Sequence, residues 1–338
     1  MGNLPCDRAR DIPPGRSYKA RKFAPSACKD TPPMIKVFGH KAPDTDSTCS
    51  AIVWSWYLNE VKGEAAAPKL LGEPNTEAAF VLKHWGLEKP EIIDAVAADE
   101  PVVIVDTNNP AELPEAINDA DIRAIIDHHK LVGGIETKGP IDITIRPLAC
   151  AATVMIDLMG DDAARMPKEI KAAALSCILS DTLEFRSPTT TDHDRALAEQ
   201  LAADLGIDLG DYAAQMFEAK SDVSAFTDAE LLRMDSKEYA VGDTKFRVSV
   251  LETTAPKIVL DRKASLMETM TAVASEDGVD QVLLFVVDIL NEEATMLIPN
   301  DLTKAVAEKS FGATVGGDSV VLPGVMSRKK QIIPNLAV

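Results

Sequence analysis

The chain has 338 residues and a net charge of −18, with 46% hydrophobic and 26% charged residues. This composition is typical of a soluble globular protein, and the length is enough for about two domains. The negative charge disfavours nucleic acid or a membrane surface as partner, and no apolar run reaches the ~18 residues of a membrane span. The five cysteines are odd in number and far apart, which argues against a disulfide framework, so we expect a cytoplasmic protein.

Residues 1–33 differ from the rest of the chain because they are rich in proline and basic residues and poor in apolar ones. They lack the apolar centre of a secretory signal. We interpret them as a disordered leader, or as an extension ahead of a start at Met34. A transit peptide fits less well, because Asp7, Asp11 and Asp30 interrupt the basic character.

From Met34 onwards, short apolar runs alternate with segments of helical periodicity. The pattern predicts strands over residues 34–38, 101–106 and 122–127, and helices over 49–62 and around 80–85. Continuous apolar runs of this length are typical of strands buried on both faces. Strands alternating with helices favour a parallel sheet with right-handed crossovers.

Helices dominate the next part of the chain, and residues 220–224 form a polar segment typical of a linker. The helices are expected over residues 150–159, 167–179, 191–205 and 212–219.

Beyond the linker the pattern changes to hairpins. We expect strands over 238–241 and 245–251 around a Gly-Asp-Thr turn, a long helix over 257–276, paired strands over 282–290 and 294–299, and a final helix with two short strands.

The whole pattern predicts an α/β fold with two domains. After the leader, residues 34–220 form an N-terminal parallel-sheet domain. Residues 221–338 form a smaller C-terminal mixed-sheet domain.

Polar side chains gather where the predicted strands end. The carboxyl ends of parallel strands converge on the crevice where α/β sheets bind ligands. An aspartate after a strand often caps a helix, and Asp46 or Asp181 alone would be read that way. So many carboxylates and imidazoles at different strand ends instead predict a metal site. The candidates are His40, Asp44, Asp46, Asp106, Asp127, His128 and His129, with Asp181 after a helix.

The types of donor atom limit which metals the site is expected to bind. Imidazole and carboxylate ligands without cysteine suit Mn²⁺, Fe²⁺, Co²⁺ or Zn²⁺. Two such ions about 3.5–4 Å apart can share one carboxylate and one water and catalyse phosphoryl transfer.

These segments resemble the DHH phosphoesterase superfamily. The matching motifs are Gly39-His40-x-x-Pro43-Asp44-x-Asp46-Ser47, Val105-Asp106, Asp127-His128-His129 and Ser180-Asp181. Two further segments, Ser-Arg-Lys-Lys-Gln at 327–331 and Asp235-x-Lys237-Glu238, make the chain similar to the family II, manganese-dependent inorganic pyrophosphatases. The resemblance extends from residue 34 to about residue 334.

The resemblance implies a hydrolase of inorganic pyrophosphate with two Mn²⁺ or Co²⁺ ions per subunit, a further Mg²⁺ with the substrate, and a homodimer. The active site would lie in the cleft between the two domains, which would hinge near residues 220–224. A bridging hydroxide would attack one phosphorus in line. The implied ligands are His40, Asp44 and Asp106 for one metal and Asp46, Asp106, His128 and Asp181 for the other. The implied substrate contacts are His129, Lys237, Arg328 and Lys329. Together with Asp106 they form the implied catalytic set. We expect Asp127 to orient a histidine rather than to bind metal.

The charges of the C-terminal region are consistent with that implication. Pyrophosphate is compact and highly charged, so carboxylates alone cannot bind it. Arg328, Lys329 and Lys330 form a dense basic run in an otherwise acidic region. Arginine offers a bidentate fork to phosphate, and lysine offers a point charge.

One segment departs from the family pattern. Where the family has Asp-His-Asn-Glu, this chain has Asp106-Thr107-Asn108-Asn109. The metal-binding aspartate remains, and the histidine and the acidic residue are missing. We expect altered metal affinity or rate rather than loss of the chemistry.

Three alternatives remain open. A DHH phosphodiesterase acting on short oligonucleotides or cyclic dinucleotides usually carries a Gly-Gly-His element, but here Gly316-Gly317 precedes Asp318. A long-chain exopolyphosphatase is a second alternative. A non-catalytic, metal-dependent phosphate sensor is the third, supported only by the altered segment after Asp106.

Overall fold

The structure is a computed structural model that describes residues 33–338, so the predicted leader lies outside the described residues except for Pro33. The strands of the N-terminal part are β1 Ile35–Phe38, β2 Ala66–Leu70, β3 Glu91–Ile92, β4 Pro101–Val105, β5 Asp121–Asp127 and β6 Asp142–Ile145. Its α-helices are α1 Thr45–Tyr57, α2 Thr76–Trp85, α3 Ala151–Met159, α4 Lys168–Thr182, α5 Asp192–Leu205 and α6 Leu209–Lys220.

The N-terminal strands form one parallel sheet in the order β3-β2-β1-β4-β5-β6, which confirms the predicted architecture. Strand β4 is buried on both faces because its apolar residues alternate between two cores. Val103 and Val105 pack with residues of α1, α3 and α4, whereas Val102 and Ile104 pack on the opposite face with Phe38. This double burial explains the continuous apolar run in the sequence.

The predictions missed β2, β3 and β6. Strand β2 contains Pro68, β3 has only two residues, and β6 is half-exposed with no continuous apolar run, so none carries a strong periodic signal. The helix expected over 49–62 begins earlier, at Thr45, and ends with a π-helical turn over Leu58–Lys62. The early start matters for the site, because it places Asp46 inside the helix.

The C-terminal part contains a second, mixed sheet in the order β11-β10-β9-β8-β7, in which only β8 and β9 are parallel neighbours. Its strands are β7 Ser236–Val241, β8 Thr244–Thr253, β9 Gln281–Asp288, β10 Glu293–Leu297 and β11 Ser319–Pro323. Its helices are α7 Asp228–Met234, α8 Pro256–Leu260, α9 Lys263–Asp277 and α10 Asp301–Phe311. Both hairpins are present as predicted, and the first turns at Gly242, whose φ is 60°. The domain boundary at residue 221 stays a prediction.

The helix expected over 257–276 is wrong as a single element, because it breaks between α8 and α9. Arg262, at the break, donates from its guanidinium to the carbonyls of Val223 and Phe226, at 3.0 and 2.9 Å. These contacts tie the break to the segment that leads out of the N-terminal part.

The end of the chain also differs from the prediction. After α10 the structure has one strand, β11, rather than two, and Arg328–Ile332 form a helical turn. Ser327 caps this turn, because its hydroxyl accepts from the Lys330 amide at 3.3 Å. No helix within residues 33–338 combines the length and apolar character needed to cross a membrane.

Candidate metal centre

The candidate ligands lie together at the carboxyl ends of β1, β4 and β5. His40 follows β1 by two residues, Asp106 directly follows β4, and His128 directly follows β5. Strand β1 lies between β2 and β4, so the chain changes direction across the sheet at this point. Ligand sites of open α/β sheets are found at such switch points.

The first turn of α1 packs tightly against the end of β1. A Cβ on Gly39 would lie 2.0 Å from Ser47 Oγ, so only glycine allows this approach. The Ser47 hydroxyl accepts from the His40 amide at 3.0 Å, and Asp44 caps α1 by accepting from the Ser47 amide at 3.0 Å. The helix cap is therefore Asp44, and the alternative reading of Asp46 as a cap is wrong.

Asp46 is fully buried in the first turn of α1 and points toward the start of α3. One carboxylate oxygen accepts from the Ala151 amide at 2.6 Å, and the other accepts from Ser50 at 2.8 Å. Asp181 lies in the last turn of α4 and is not a helix cap. Two helix ends thus deliver carboxylates to the ends of the strands.

Asp106 lies at the centre of the cluster. Its Oδ2 is 3.3 Å from His40 Nε2, and its Oδ1 is 3.2 Å from His128 Nε2 and 3.8 Å from His129 Nδ1. The backbone of Asp106 is left-handed, with φ of 56°. Aspartate tolerates this region better than most residues, and such strained positions concentrate at functional sites.

The structure brings all six predicted metal ligands and His129 into three overlapping groups whose ligand atoms lie within 4.8 Å of one another. The group of His40, Asp44 and Asp106 is the ligand set expected for one metal. The four ligands expected for the other metal are divided between two groups, because Asp46 and Asp181 group with His128, whereas Asp106 groups with His128 and His129. The assignment of ligands to individual ions stays a prediction. The groups are His40, Asp44 and Asp106; Asp46, His128 and Asp181; and Asp106, His128 and His129.

Burial and crowding perturb the titration of this cluster. Burial alone would lower the pKa of His40 and His128, but hydrogen bonds and charges of neighbouring aspartates, Asp106 first, raise these pKa values to about 10 and about 9. Burial, followed by the charge of Asp106, raises the pKa of Asp46 to about 7. The pKa of Asp181 is raised well above its usual value, by burial and then by Asp46. Without metal, the cluster therefore retains protons that bound cations must displace.

We expect the metal-free protein to lose stability as pH rises. The folded pKa values of His40 and His128 lie above the ordinary 6.5, so their protonation contributes stability that is complete below pH 6.5 and lost as pH rises through about 9 to 10. Asp46, with its raised pKa, acts in the same direction up to about pH 7. Urea unfolding of chelator-treated protein across this range measures the loss.

The control for this prediction is His128→Asn, which should flatten the decline because one of the two histidines is gone. Added Mn²⁺ should stabilise the wild-type protein more at high pH and release protons on binding. A stability that is constant between about pH 6.5 and 10 in the metal-free protein would contradict the assignment.

Asp127, at the end of β5, contacts the two histidines that follow it, which is consistent with the expectation that it orients a histidine. Its Oδ1 accepts from the amides of His128 and His129, at 2.7 and 3.1 Å, and lies 2.9 Å from His129 Nδ1. Its Oδ2 accepts from Asn108 at 2.5 Å. The hydrogen bond with Asp127 raises the pKa of His129 and leaves its Nε2 directed away from Asp127.

The segment Asp106-Thr107-Asn108-Asn109, which departs from the family pattern, has the carboxylate of Glu112 beside it. Thr107 donates its hydroxyl to Glu112 Oε2 at 2.7 Å and accepts from the Asn109 amide at 3.1 Å. Glu112 comes from the short helical turn that follows β4. The sequence carried no signal for this contact.

The predicted phosphate-binding residues line a cavity of about 810 Å³ in the C-terminal part, which includes Lys237, Arg328 and Lys329. The Arg328 guanidinium donates to the Asp235 carbonyl at 2.8 Å and pairs with its carboxylate at 2.7 Å. Within residues 33–338, Lys237 and Lys329 have no ion-pair partner. The metal ligands do not line this cavity, so the structure does not gather the two sets in one pocket.

Two family models match the chain. The model of the DHH family, N-terminal domain, matches residues 34–181, and the DHHA2 domain matches residues 214–337. The first match ends at Asp181 and therefore spans the whole candidate metal centre. The DHHA2 match contains the cavity lined by Lys237, Arg328 and Lys329, which we call the basic cavity.

Curated relatives match nearly the full length. A probable manganese-dependent inorganic pyrophosphatase of Deinococcus radiodurans is 39% identical over 308 residues, which is 90% of this chain and 98% of the relative. The manganese-dependent inorganic pyrophosphatase of Bacillus subtilis is 35% identical over 304 residues, covering 89% and 97%. A crystal structure of a Methanococcus jannaschii protein named as a family II inorganic pyrophosphatase matches with a TM-score of 0.56 and 33% identity, covering 89% and 98%.

Proposed function

Because this chain belongs to the family II, manganese-dependent inorganic pyrophosphatases of the DHH phosphoesterase superfamily, we propose that it hydrolyses inorganic pyrophosphate to two phosphates. The observation that carries the proposal is the placement of Asp106. Its two carboxylate oxygens face different histidines, His40 on one side and His128 on the other. A carboxylate shared in this way is what a pair of catalytic metal ions needs.

The donor set fits two Mn²⁺ ions, with Co²⁺ as the alternative. The candidate groups contain carboxylate oxygens and imidazole nitrogens and no thiolate. Burial, and then the charges of neighbouring aspartates, raise the pKa values of Asp46 and Asp181, and bound cations would favour the ionised carboxylates. We propose that His40, Asp44 and Asp106 hold one ion, and that Asp46, Asp106, His128 and Asp181 hold the other.

Hydrolysis forms one P–O bond to a water oxygen and breaks the P–O bond to the leaving phosphate. When bound, the two cations would supply an activated water and would neutralise phosphoryl charge. His129 is suited to contact the substrate, because its Nδ1 is held by Asp127. The hydrogen bond with Asp127 also raises the pKa of His129, and this favours the protonated imidazole, whose Nε2 can donate to a phosphate oxygen.

The basic cavity supplies the charges for the leaving phosphate. Lys237 and Lys329 are exposed, and Arg328 is held in place by Asp235. Neutralising the charge that develops on the leaving group accelerates such reactions. We propose that these residues and a Mg²⁺ ion carried with the substrate bind it after the two domains approach one another.

The decisive experiment is phosphate release from pyrophosphate by metal-stripped protein, titrated separately with Mn²⁺, Co²⁺, Zn²⁺ and Mg²⁺. We expect no release without metal and the highest rate with Mn²⁺ or Co²⁺. Polyphosphate and a dinucleotide serve as control substrates, because preference for either would favour an exopolyphosphatase or a phosphodiesterase. Binding of phosphate without turnover under every metal would favour the sensor.

We also propose a homodimer, formed through the edge of the parallel sheet at β6. Edge strands offer unpaired backbone groups to a second chain. Ile143 of β6 is 55% exposed, and it lines a cavity of about 600 Å³ together with Leu158 of α3, which is 36% exposed. Sedimentation equilibrium should give twice the mass of the chain, and Ile143→Lys should lower it. A mass of one chain for the wild type would contradict the proposal.

A further inference from the structure

Glu77 is a fully buried carboxylate behind the metal centre, in the first turn of α2. Its Oε2 accepts hydrogen bonds from Thr45 Oγ1 at 2.7 Å and from Ser180 Oγ at 2.6 Å. Its Oε1 has no hydrogen-bond partner among the described residues. A buried carboxylate with an unpaired oxygen is costly, so packing alone does not explain it.

The two hydroxyls that Glu77 holds lie beside the predicted ligands. Thr45 stands between Asp44 and Asp46 at the start of α1, and Ser180 directly precedes Asp181 at the end of α4. One carboxylate therefore joins, from behind, the two helix ends that carry three of the ligands. Glu77 itself belongs to none of the three ligand groups.

Lys220 approaches the same carboxylate from the end of the N-terminal part. Its Nζ is 3.5 Å from Glu77 Oε2, and its side chain is 37% exposed. The next residue, Ser221, accepts from the Thr254 and Ala255 amides at 3.2 and 3.1 Å, just after β8. Lys220 thus occupies the point where the chain passes between the two sheets.

The charge of Lys220 lies close to the ligands. Its Nζ is 3.5 Å from the Glu77 oxygen that also accepts from Thr45 and Ser180, the neighbours of the ligands in the chain. A cation near carboxylate ligands also repels an incoming metal ion. Glu77 is the only residue with which Lys220 forms an ion pair within residues 33–338.

We propose that Glu77 is a positioning residue of the metal centre, which orients the ligands through Thr45 and Ser180 and offsets the charge of Lys220. The proposal rests on the proposed function only in taking these ligands to hold Mn²⁺. An amide oxygen could also accept from the two hydroxyls. Only a carboxylate, however, places a negative charge opposite Lys220.

The test is Mn²⁺ affinity, measured by calorimetry without pyrophosphate on Glu77→Gln, Lys220→Met and the double variant. Glu77→Gln keeps an oxygen for the two hydroxyls but removes the charge opposite Lys220, so we expect Mn²⁺ affinity to fall by about 10-fold, the lower end of the range for a changed partner of metal ligands. Lys220→Met should recover part of that loss in the double variant, because the unpaired cation is gone. A purely structural role for Glu77 does not predict recovery.

Two matched controls use groups outside the centre. Asp288→Asn alters a buried carboxylate that accepts from the Leu290 and Asn291 amides, and Lys171→Met removes a lysine that pairs with Asp204. Both should bind Mn²⁺ like the wild type. Thr45→Val and Ser180→Ala keep Glu77 and remove one donor each, so they test the proposal even if Glu77→Gln does not fold.

Unchanged Mn²⁺ affinity in both Thr45→Val and Ser180→Ala would overturn the positioning role. Unchanged affinity in Glu77→Gln would overturn the role of the Glu77 charge. A double variant that binds no more tightly than Glu77→Gln would overturn the role of Lys220. Failure of the proposed function is separate, because it would appear as a wild-type protein that binds Mn²⁺ and does not hydrolyse pyrophosphate.

Discussion

Asp106→Asn is expected to lower kcat/KM for pyrophosphate by about 10³-fold or more, because loss of one preorganised electrostatic group already costs about 10²–10³-fold. Asp106 is the only candidate ligand whose two oxygens lie 3.3 and 3.2 Å from His40 and His128. Asparagine retains the shape and tolerates the left-handed backbone of residue 106. The loss should therefore come from the charge and the second oxygen. Phosphate release at saturating Mn²⁺ measures it.

Asp99→Asn is the matched control for that variant. Asp99 also has a left-handed backbone, with φ of 62°, but it is exposed and pairs with Lys138 outside the centre. We expect its turnover to equal that of the wild type. Near-wild-type turnover in Asp106→Asn, with Mn²⁺ bound, would disprove the shared-ligand assignment.

Arg328→Ala is expected to lower kcat/KM for pyrophosphate by about 10²–10³-fold, since it removes a charge that we propose neutralises the leaving phosphate. Mn²⁺ affinity should not change, because Arg328 lines the basic cavity and not the metal centre. Arg328→Lys should recover little, because lysine lacks the fork that contacts both the carbonyl and the carboxylate of Asp235. Steady-state kinetics and Mn²⁺ calorimetry together separate the two effects.

Lys330→Ala provides the control within the same basic run. Lys330 is exposed and does not line the cavity, so we expect an effect of less than about threefold, as for a surface charge outside a site. Equal losses in the Arg328 and Lys330 variants would show that the run acts only through its net charge. Weakened Mn²⁺ binding in Arg328→Ala would place Arg328 in the metal centre instead.

The candidate metal centre was predictable because its ligands follow strong local signals. Continuous apolar runs predicted β1, β4 and β5. In a parallel sheet the carboxyl ends of neighbouring strands lie at the same edge. His40, Asp106 and His128 therefore came together as expected. Strands β3 and β6 were not predicted, because they lack such a signal. Strand β3 has two residues and β6 has no continuous apolar run, so hydrophobic periodicity could not reveal them.

The sequence by itself determined the parallel sheet, the mixed C-terminal sheet and the set of residues gathered in the candidate metal centre. These follow from the side-chain period of strands and from motifs within short segments. Only the tertiary structure decided how the ligands are held: the left-handed turn of Asp106, Asp44 as the helix cap, and the contacts of Glu77 with residues 32 and 103 positions away. Contacts between distant segments leave no local period, because burial and hydrogen bonding depend on neighbours that only the folded chain brings together.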